Sequence, residues 1–204
     1  MNILTIDFDI IMAPSIMIYN ELVPLKSLED LKKDCALFNQ CKIDAIHYVR
    51  LTRALMSLIE KYPQEKIHFI HDHDKVTRFI TSKASITNID HHHDLSYGKD
   101  MEKEKLDNGY GCANWVRWLE EQNLLQDYTW IRNDNSEMPE FRNALFKSLQ
   151  LKDIDIEAFV NKEEYDEIIV CFSEPWIPNE YHELFFLWLD LCNKHYHTHF
   201  DVED

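Results

Sequence analysis

Five metal-capable side chains stand in one run, Asp90-His91-His92-His93-Asp94, directly after a stretch that reads as a strand, Ala84-Ser85-Ile86-Thr87-Asn88-Ile89. Carboxylate oxygens and imidazole nitrogens together suit borderline divalent metals. Alternation along an extended chain would send Asp90, His92 and Asp94 to one side and His91 and His93 to the other. The product is Asp-x-His-x-Asp, three ligands converging from one short segment. Two companions add to it. Asp7-Phe8-Asp9 follows Ile3-Leu4-Thr5-Ile6, and carboxylates at i and i+2 can both reach a metal; the same pair also reads as a strand ending in a turn or a helix cap. His71-Asp72-His73-Asp74 follows Ile67-His68-Phe69-Ile70, with His73 as a ligand, His71 as a packing or solvent-facing ring, and Asp72 or Asp74 as a helix cap.

Three further segments carry polar chemistry. In Ser173-Glu174-Pro175-Trp176 the carboxylate can neutralise a cationic group, or it is a loop acid beside a Pro-Trp turn. Asn108-Gly109-Tyr110-Gly111 holds two of the three glycines, which allow close approach of backbone to a ligand or an entry turn for the next helix. His195-Tyr196-His197-Thr198-His199 has a ligand-like period but reads as a tail, because terminal segments are often poorly ordered.

The elements that must position these residues alternate in type. Strands are expected over Asn2 to Asp9, Lys66 to His71, Ala84 to Asp90, Tyr128 to Arg132 and Glu167 to Phe172, each short and rich in Ile, Val, Phe or Thr. Helices are expected over Ile43 to Lys61, Asp74 to Ser82, Cys112 to Gln122, Glu140 to Leu149 and Asn179 to Lys194. Strand and helix in alternation predict a single three-layer α/β domain with a mostly parallel sheet. In such sheets ligands gather at the carboxyl ends of the strands. Asp7 and Asp9, His71 and His73, Asp90 to Asp94, and Ser173-Glu174 all fall at that one edge. This convergence says more than any single motif.

Composition narrows the field. A chain of 204 residues, 45% hydrophobic and 12% aromatic, is long enough for one full core, read as residues 1–194 with 195–204 as a C-terminal tail. The start, Met1-Asn2-Ile3-Leu4-Thr5-Ile6-Asp7, lacks the basic and apolar stretches of a signal peptide, and no apolar run approaches the roughly 20 residues that span a bilayer. A cytoplasmic protein without a membrane partner is expected. Cys35, Cys41, Cys112, Cys171 and Cys192 show no C-x-x-C spacing, which fits reduced thiols rather than disulfides or structural zinc. A net charge of −16 argues against nucleic acid, which needs a basic face, and favours a cationic substrate or cations in the site.

Taken in order, these segments resemble the arginase-like (ureohydrolase-fold) metallohydrolases, whose small branch includes the peptide arginases. The likeness lies in an apolar strand ending in Asp7-Phe8-Asp9, the cluster Asp72-His73-Asp74, the strand running into Asp90-His91-His92-His93-Asp94, the loop Asn108-Gly109-Tyr110, and the strand and turn Val170-Cys171-Phe172-Ser173-Glu174-Pro175. It touches segments from residue 4 to about 178, with an early Asp-x-Asp strand as in that small branch. The resemblance implies an arginase/deacetylase-like architecture and two Mn2+ ions. Asp7 and Asp90 would bridge them, with His73 and Asp94 completing one coordination sphere and His92 and Asp9 the other. It further implies hydrolysis of a guanidino group, peptidyl arginine or a small guanidino compound, to an amine plus urea. Glu174 would pair with the substrate cation, and Tyr110 would stand where the larger arginases carry a proton-shuttling histidine. Two alternatives remain open. Asp90-His91-His92 also matches the hallmark of the DHH-type phosphoesterases, in which His91 would belong to the motif; those enzymes normally carry a second domain. A catalytically inactive metal-binding interaction protein of the same fold is the other. A strand ending in Asp-x-Asp also opens the haloacid dehalogenase phosphatases, whose later lysine and acidic pair have no placed counterpart here.

Overall fold

A computed structural model of the protein describes residues 1–12, 42–95, 114–134, 136, 138–139, 145–174, 177–198 and 200–201. Its centre is one sheet of seven strands in the order β5-β4-β3-β1-β6-β2-β7. In chain order these are β1 (Asn2–Asp7), β2 (Ile67–Ile70), β3 (Ala84–Ile89), β4 (Leu125–Arg132), β5 (Phe146–Gln150), β6 (Glu167–Cys171) and β7 (Phe200–Asp201). Every pairing is parallel. Four α-helices among the described residues accompany them: α1 (Ala45–Lys61), α2 (Trp115–Glu121), α3 (Ile156–Lys162) and α4 (His182–His195), with 3-10 turns at Phe8–Ile11 and His73–Phe79 among the connections.

Strand periodicity divides the interior into two cores. On β1, Leu4 and Ile6 face one side, where they join Leu51 and Leu55 of α1, Val160 of α3 and Trp188 of α4. Ile3 faces the other side with Val76, Trp115, Val116 and Leu119. A central sheet sandwiched in this way is a three-layer α/β domain. Asp44 starts α1 by accepting the backbone N–H groups of Ile46 and His47 at 2.9 and 3.0 Å, which satisfies donors the helix cannot. Trp188 is fully buried, edge-on to Phe8 at 4.9 Å, and its truncation to Ala would cost about 3–5 kcal/mol.

Several elements depart from the sequence reading. The first strand stops at Asp7 rather than Asp9, because Asp7 Oδ1 accepts the Asp9 N–H at 3.1 Å and turns the chain into the 3-10 segment. The stretch expected to be a helix to Ser82 is a 3-10 turn over His73–Phe79. The helix expected over Glu140 to Leu149 is overturned in its second half: residues 140–144 lie outside the described set, and Phe146–Gln150 pair with β4 as an edge strand. Pairing of Phe146 with Tyr128 and Leu149 with Ile131 outweighs local helix propensity there. Within the stretch set apart as a tail, Phe200–Asp201 return to the sheet beside β2. Cys171 and Cys192 are buried free thiols, and the other three cysteines fall outside the described residues. No helix among the described residues is long and apolar enough to cross a membrane.

Candidate metal centre

The strand order makes β3, β1, β6 and β2 consecutive neighbours, so their carboxyl ends meet at one place. Two adjacent strands finish in the same way there. β1 ends in Asp7, whose Oδ1 accepts the N–H of Asp9, and β3 runs into Asp90, whose Oδ1 accepts the N–H of His92 at 2.8 Å. Each Asp therefore stops its strand, a turn role for which Asp is suited. Each also keeps its Oδ2 for the centre, so the ligand and turn readings of Asp7 describe different oxygens of one carboxylate. The convergence of Asp90, His92 and Asp94 comes from this turn, and from Asp94 in the left-handed region at φ 52°, not from continued strand alternation.

Around His73 the groups crowd on a single atom. Nδ1 lies 3.0 Å from Asp7 Oδ2, 3.0 Å from Asp90 Oδ2 and 3.1 Å from Asp94 Oδ2. One ring nitrogen carries at most one proton and cannot serve three carboxylates. The opposite ring atom, Nε2, stands 2.7 Å from Thr5 Oγ1, positioned to donate its proton there and leave Nδ1 with a lone pair. Each carboxylate oxygen is in turn held from behind: Ser173 Oγ–H donates to Asp7 Oδ2 at 2.5 Å, Asn88 Nδ2–H to Asp90 Oδ2 at 3.1 Å, and Trp115 Nε1–H to Asp94 Oδ2 at 2.7 Å. Asp7, His73 and Asp90 offer ligand atoms within 4.8 Å of one another, and Asp94 joins through the His73 contact.

A second group shares Asp90. Ligand atoms of Asp9, Asp90 and His92 also lie within 4.8 Å of one another. His92 Nδ1 is 2.7 Å from Asp9 Oδ2 and 3.9 Å from Asp90 Oδ1. Yet Asp9 Oδ2 is fully buried without an aligned hydrogen-bond donor, although its Oδ1 accepts the His91 N–H at 3.3 Å. The close approach of His92 Nδ1 to Asp9 Oδ2 makes this pair a second candidate for a shared cation. Asp90 belongs to both groups, whereas Asp7 belongs to the first alone.

The electrostatics agree. Asp7, Asp9, Asp90 and Asp94 are all at most 3% exposed. Among the described residues, two imidazoles stand against these four carboxylates, too few to neutralise them even when both are protonated. Burial, joined by the charges of Asp94 and Asp7, pushes the Asp90 carboxyl up to about 7. Burial and the neighbouring acids also raise Asp7 and Asp9. Burial by itself would lower His92, but Asp9 outweighs it and lifts the ring to about 9. His73 is likewise raised well above its ordinary value, by Asp7 and Asp90 against burial. Uncompensated buried charge costs several kcal/mol per ion. The donor set fits divalent cations in place of those protons.

The remaining residues fall into place around this centre. Glu174 follows Ser173, whose hydroxyl holds Asp7, and its Oε2 lies 3.0 Å from His71 Nε2, with both side chains about one-third exposed. His91 and His93 are buried outside both ligand groups, and burial with the nearby His92 charge pushes each down to about 3. The His93 ring stands edge-on to Trp130 at 5.7 Å. Tyr110, with the whole Asn108–Gly111 loop, lies outside the described residues, as do Pro175 and Trp176. Sequence reasoning put Ser173 at this edge without a role and missed Thr5, Asn88, Trp115 and Tyr128; these five side chains hold the Asp and His groups in place. Tyr128 takes the second Asn88 N–H at 2.8 Å and donates to the His93 carbonyl at 3.0 Å. A signal existed for two of them: Thr5 precedes Asp7 by two, and Asn88 precedes Asp90 by two, so each faces its Asp's side of a buried strand. In comparisons with known proteins, no family model, curated protein or solved structure matches the chain.

Proposed function

We propose that the protein is a metal-dependent hydrolase acting on a C–N bond of a guanidino group, with peptidyl arginine the favoured substrate and two Mn2+ ions as cofactors. The observation that carries this reading is Asp90, one carboxylate shared by two buried Asp/His groups at the carboxyl edge of a parallel sheet. Asp7, His73, Asp90 and Asp94 would hold one ion, and Asp9, Asp90 and His92 the other. When bound, such a pair supplies Lewis acidity that lowers the pKa of water and stabilises developing negative charge. The chain's own residues do the rest. Ser173, Asn88, Trp115 and Thr5 fix the ligands, so that little reorganisation is needed as charge develops. Glu174, next to Ser173, presents a carboxylate to the planar guanidinium, an acceptor geometry matched by paired N–H donors. The net charge of −16 draws a cationic substrate toward the site. Addition of water across the guanidino carbon and loss of the substituted nitrogen would give urea and an amine, ornithine where the substrate is arginine.

The phosphoesterase alternative assigns His91 to the centre, and His91 belongs to neither ligand group. The test pairs metal content with turnover. Protein purified from manganese-supplemented cells is expected to carry about two manganese per chain by elemental mass spectrometry and to release urea from arginine-containing peptides. Two manganese without urea release from arginine peptides, agmatine or guanidino acids would leave a metal-binding protein and end the hydrolase reading. No manganese after reconstitution would end both.

A further inference from the structure

We propose that Trp115 is a positioning residue of the centre: the first turn of α2 clamps Asp94 at two points and so determines whether the His73 group gains its fourth ligand. This rests on the metal reading above. Asp94 is a non-glycine residue at φ 52°, a backbone state that Asp tolerates better than most but that must be held by its surroundings. Among the described residues, α2 supplies two holds on Asp94 itself, beside the Tyr128 hydroxyl that grips the preceding His93 carbonyl at 3.0 Å. The Val116 N–H donates to the Asp94 carbonyl at 3.2 Å, and Trp115 Nε1–H donates to Asp94 Oδ2 at 2.7 Å. Oδ2 is the same atom that approaches His73 Nδ1 to 3.1 Å. The indole itself is 1% exposed, with its ring 5.2 Å from the His73 ring. One side chain thus packs on one ligand and aims another.

An indole N–H is a donor only and cannot ligate a metal, so Trp115 acts through Asp94. Asp94 is also the outlier of its group. Asp7, His73 and Asp90 already form a tight triad at the ends of β1 and β3 and in the 3-10 turn after β2, whereas Asp94 comes from the bent chain beyond β3. Its position therefore depends on what grips that bend. The consequence is reciprocal: an ion that engages Asp94 tightens the grip on α2, and a loosened α2 weakens the ion.

Mn2+ titration calorimetry on the full chain tests this with two variants. Trp115→Phe removes the donor and part of the ring. Replacement of Trp115 by benzothienylalanine keeps the bicyclic shape and removes only the N–H, so that folding is preserved. The expected result for the latter is Mn2+ binding at least about tenfold weaker at one site, with a metal-free melting temperature close to that of the unaltered protein. Hydrogen exchange supplies a readout that packing alone would not move: Mn2+ should slow exchange across residues 115–121 in the unaltered protein, and this slowing should be lost in both variants. Unchanged Mn2+ affinity in the benzothienylalanine form would overturn the clamp, as would metal-dependent protection of α2 that survives the substitution. If the unaltered protein binds Mn2+ and only the variants fail to differ, the clamp alone falls. If it binds none, the centre falls with it.

Discussion

The two halves of the centre share Asp90 but are built differently. Around His73, each carboxylate oxygen is gripped from outside by Ser173, Asn88 or Trp115, and Thr5 holds the far ring atom Nε2 of His73. Around His92, backbone N–H groups fill one oxygen each of Asp9 and Asp90, and Asp9 Oδ2 is left buried without an aligned donor. The first half is a shaped socket whose walls exist whether or not anything fills it. The second is less filled, with a buried carboxylate oxygen whose close neighbour is the His92 ring at 2.7 Å. Pre-organisation and need are thus separated by the width of one carboxylate.

Substitutions can break that contrast in graded steps. Asp90→Asn removes the shared ligand and should take manganese from about two ions per chain to none by elemental mass spectrometry, with loss of urea release. His92→Ala or Asp9→Asn should strip the second half alone, leaving about one ion per chain. Thr5→Val keeps the size of the side chain but deletes the acceptor of His73 Nε2–H, and should weaken Mn2+ binding in the first half roughly 10–100-fold without changing the saturating stoichiometry. A value unchanged by Thr5→Val would mean the socket is not held from behind.

A smaller effect is expected with pH in the metal-free protein. His92, raised from 6.5 to about 9, contributes stability that is fully present below pH 6.5 and is lost as pH rises through 9. His73 moves in the same direction. Asp90, raised to about 7, has lost most of its contribution by the start of that range. His91 and His93, lowered to about 3, oppose this only below pH 6.5. Between pH 7 and 9 the signs therefore agree, and the melting temperature in chelator should fall by on the order of a few degrees. Saturating Mn2+ should abolish the fall, because the deprotonated ligands are the ones it binds. A metal-free melting temperature that rises over this interval would contradict the charge balance assigned to the centre. The smallest change is expected from His91→Ala, which should leave manganese content and urea release near those of the unaltered protein. If it emptied the centre while His92→Ala spared it, the roles of the two histidines would be exchanged and the phosphoesterase alternative restored.

Much of this architecture was legible because its signals are local. Five strands announced themselves as short apolar runs, and each of four ended in polar residues that meet at one edge. What was not legible is non-local. Nothing near residues 2–7 says that β1 lies between β3 and β6, and Phe146–Gln150 becomes a strand only because β4 offers it an edge. The ligands were visible as residue types, but the grip on them was not. Trp115 reaches Asp94 across 21 positions and Ser173 reaches Asp7 across 166, distances at which no periodicity carries information. The turn at Asp90 was hidden for another reason: the sequence suggested extended chain through His92, while Asp90 caps its own strand end, as Asp7 does where a turn was one of the two readings.

The place of β1 in the sheet also sets a timetable. Its first neighbour, β3, is made about eighty residues after it, and the other, β6, is reached only when Asn2 meets Asp166, 164 positions later. Pairings so far apart form slowly, since the intervening chain must be ordered before they are rewarded. Asp7 receives its Ser173 hydroxyl only at that last stage. A ribosome-bound chain that has emitted residues 1–94 would hold all six acids and imidazoles without the strand that seats them. Synthesis thus keeps the candidate ligands apart from a finished socket until nearly the whole domain has emerged, and in the proposed centre ion capture would be one of the closing events of folding.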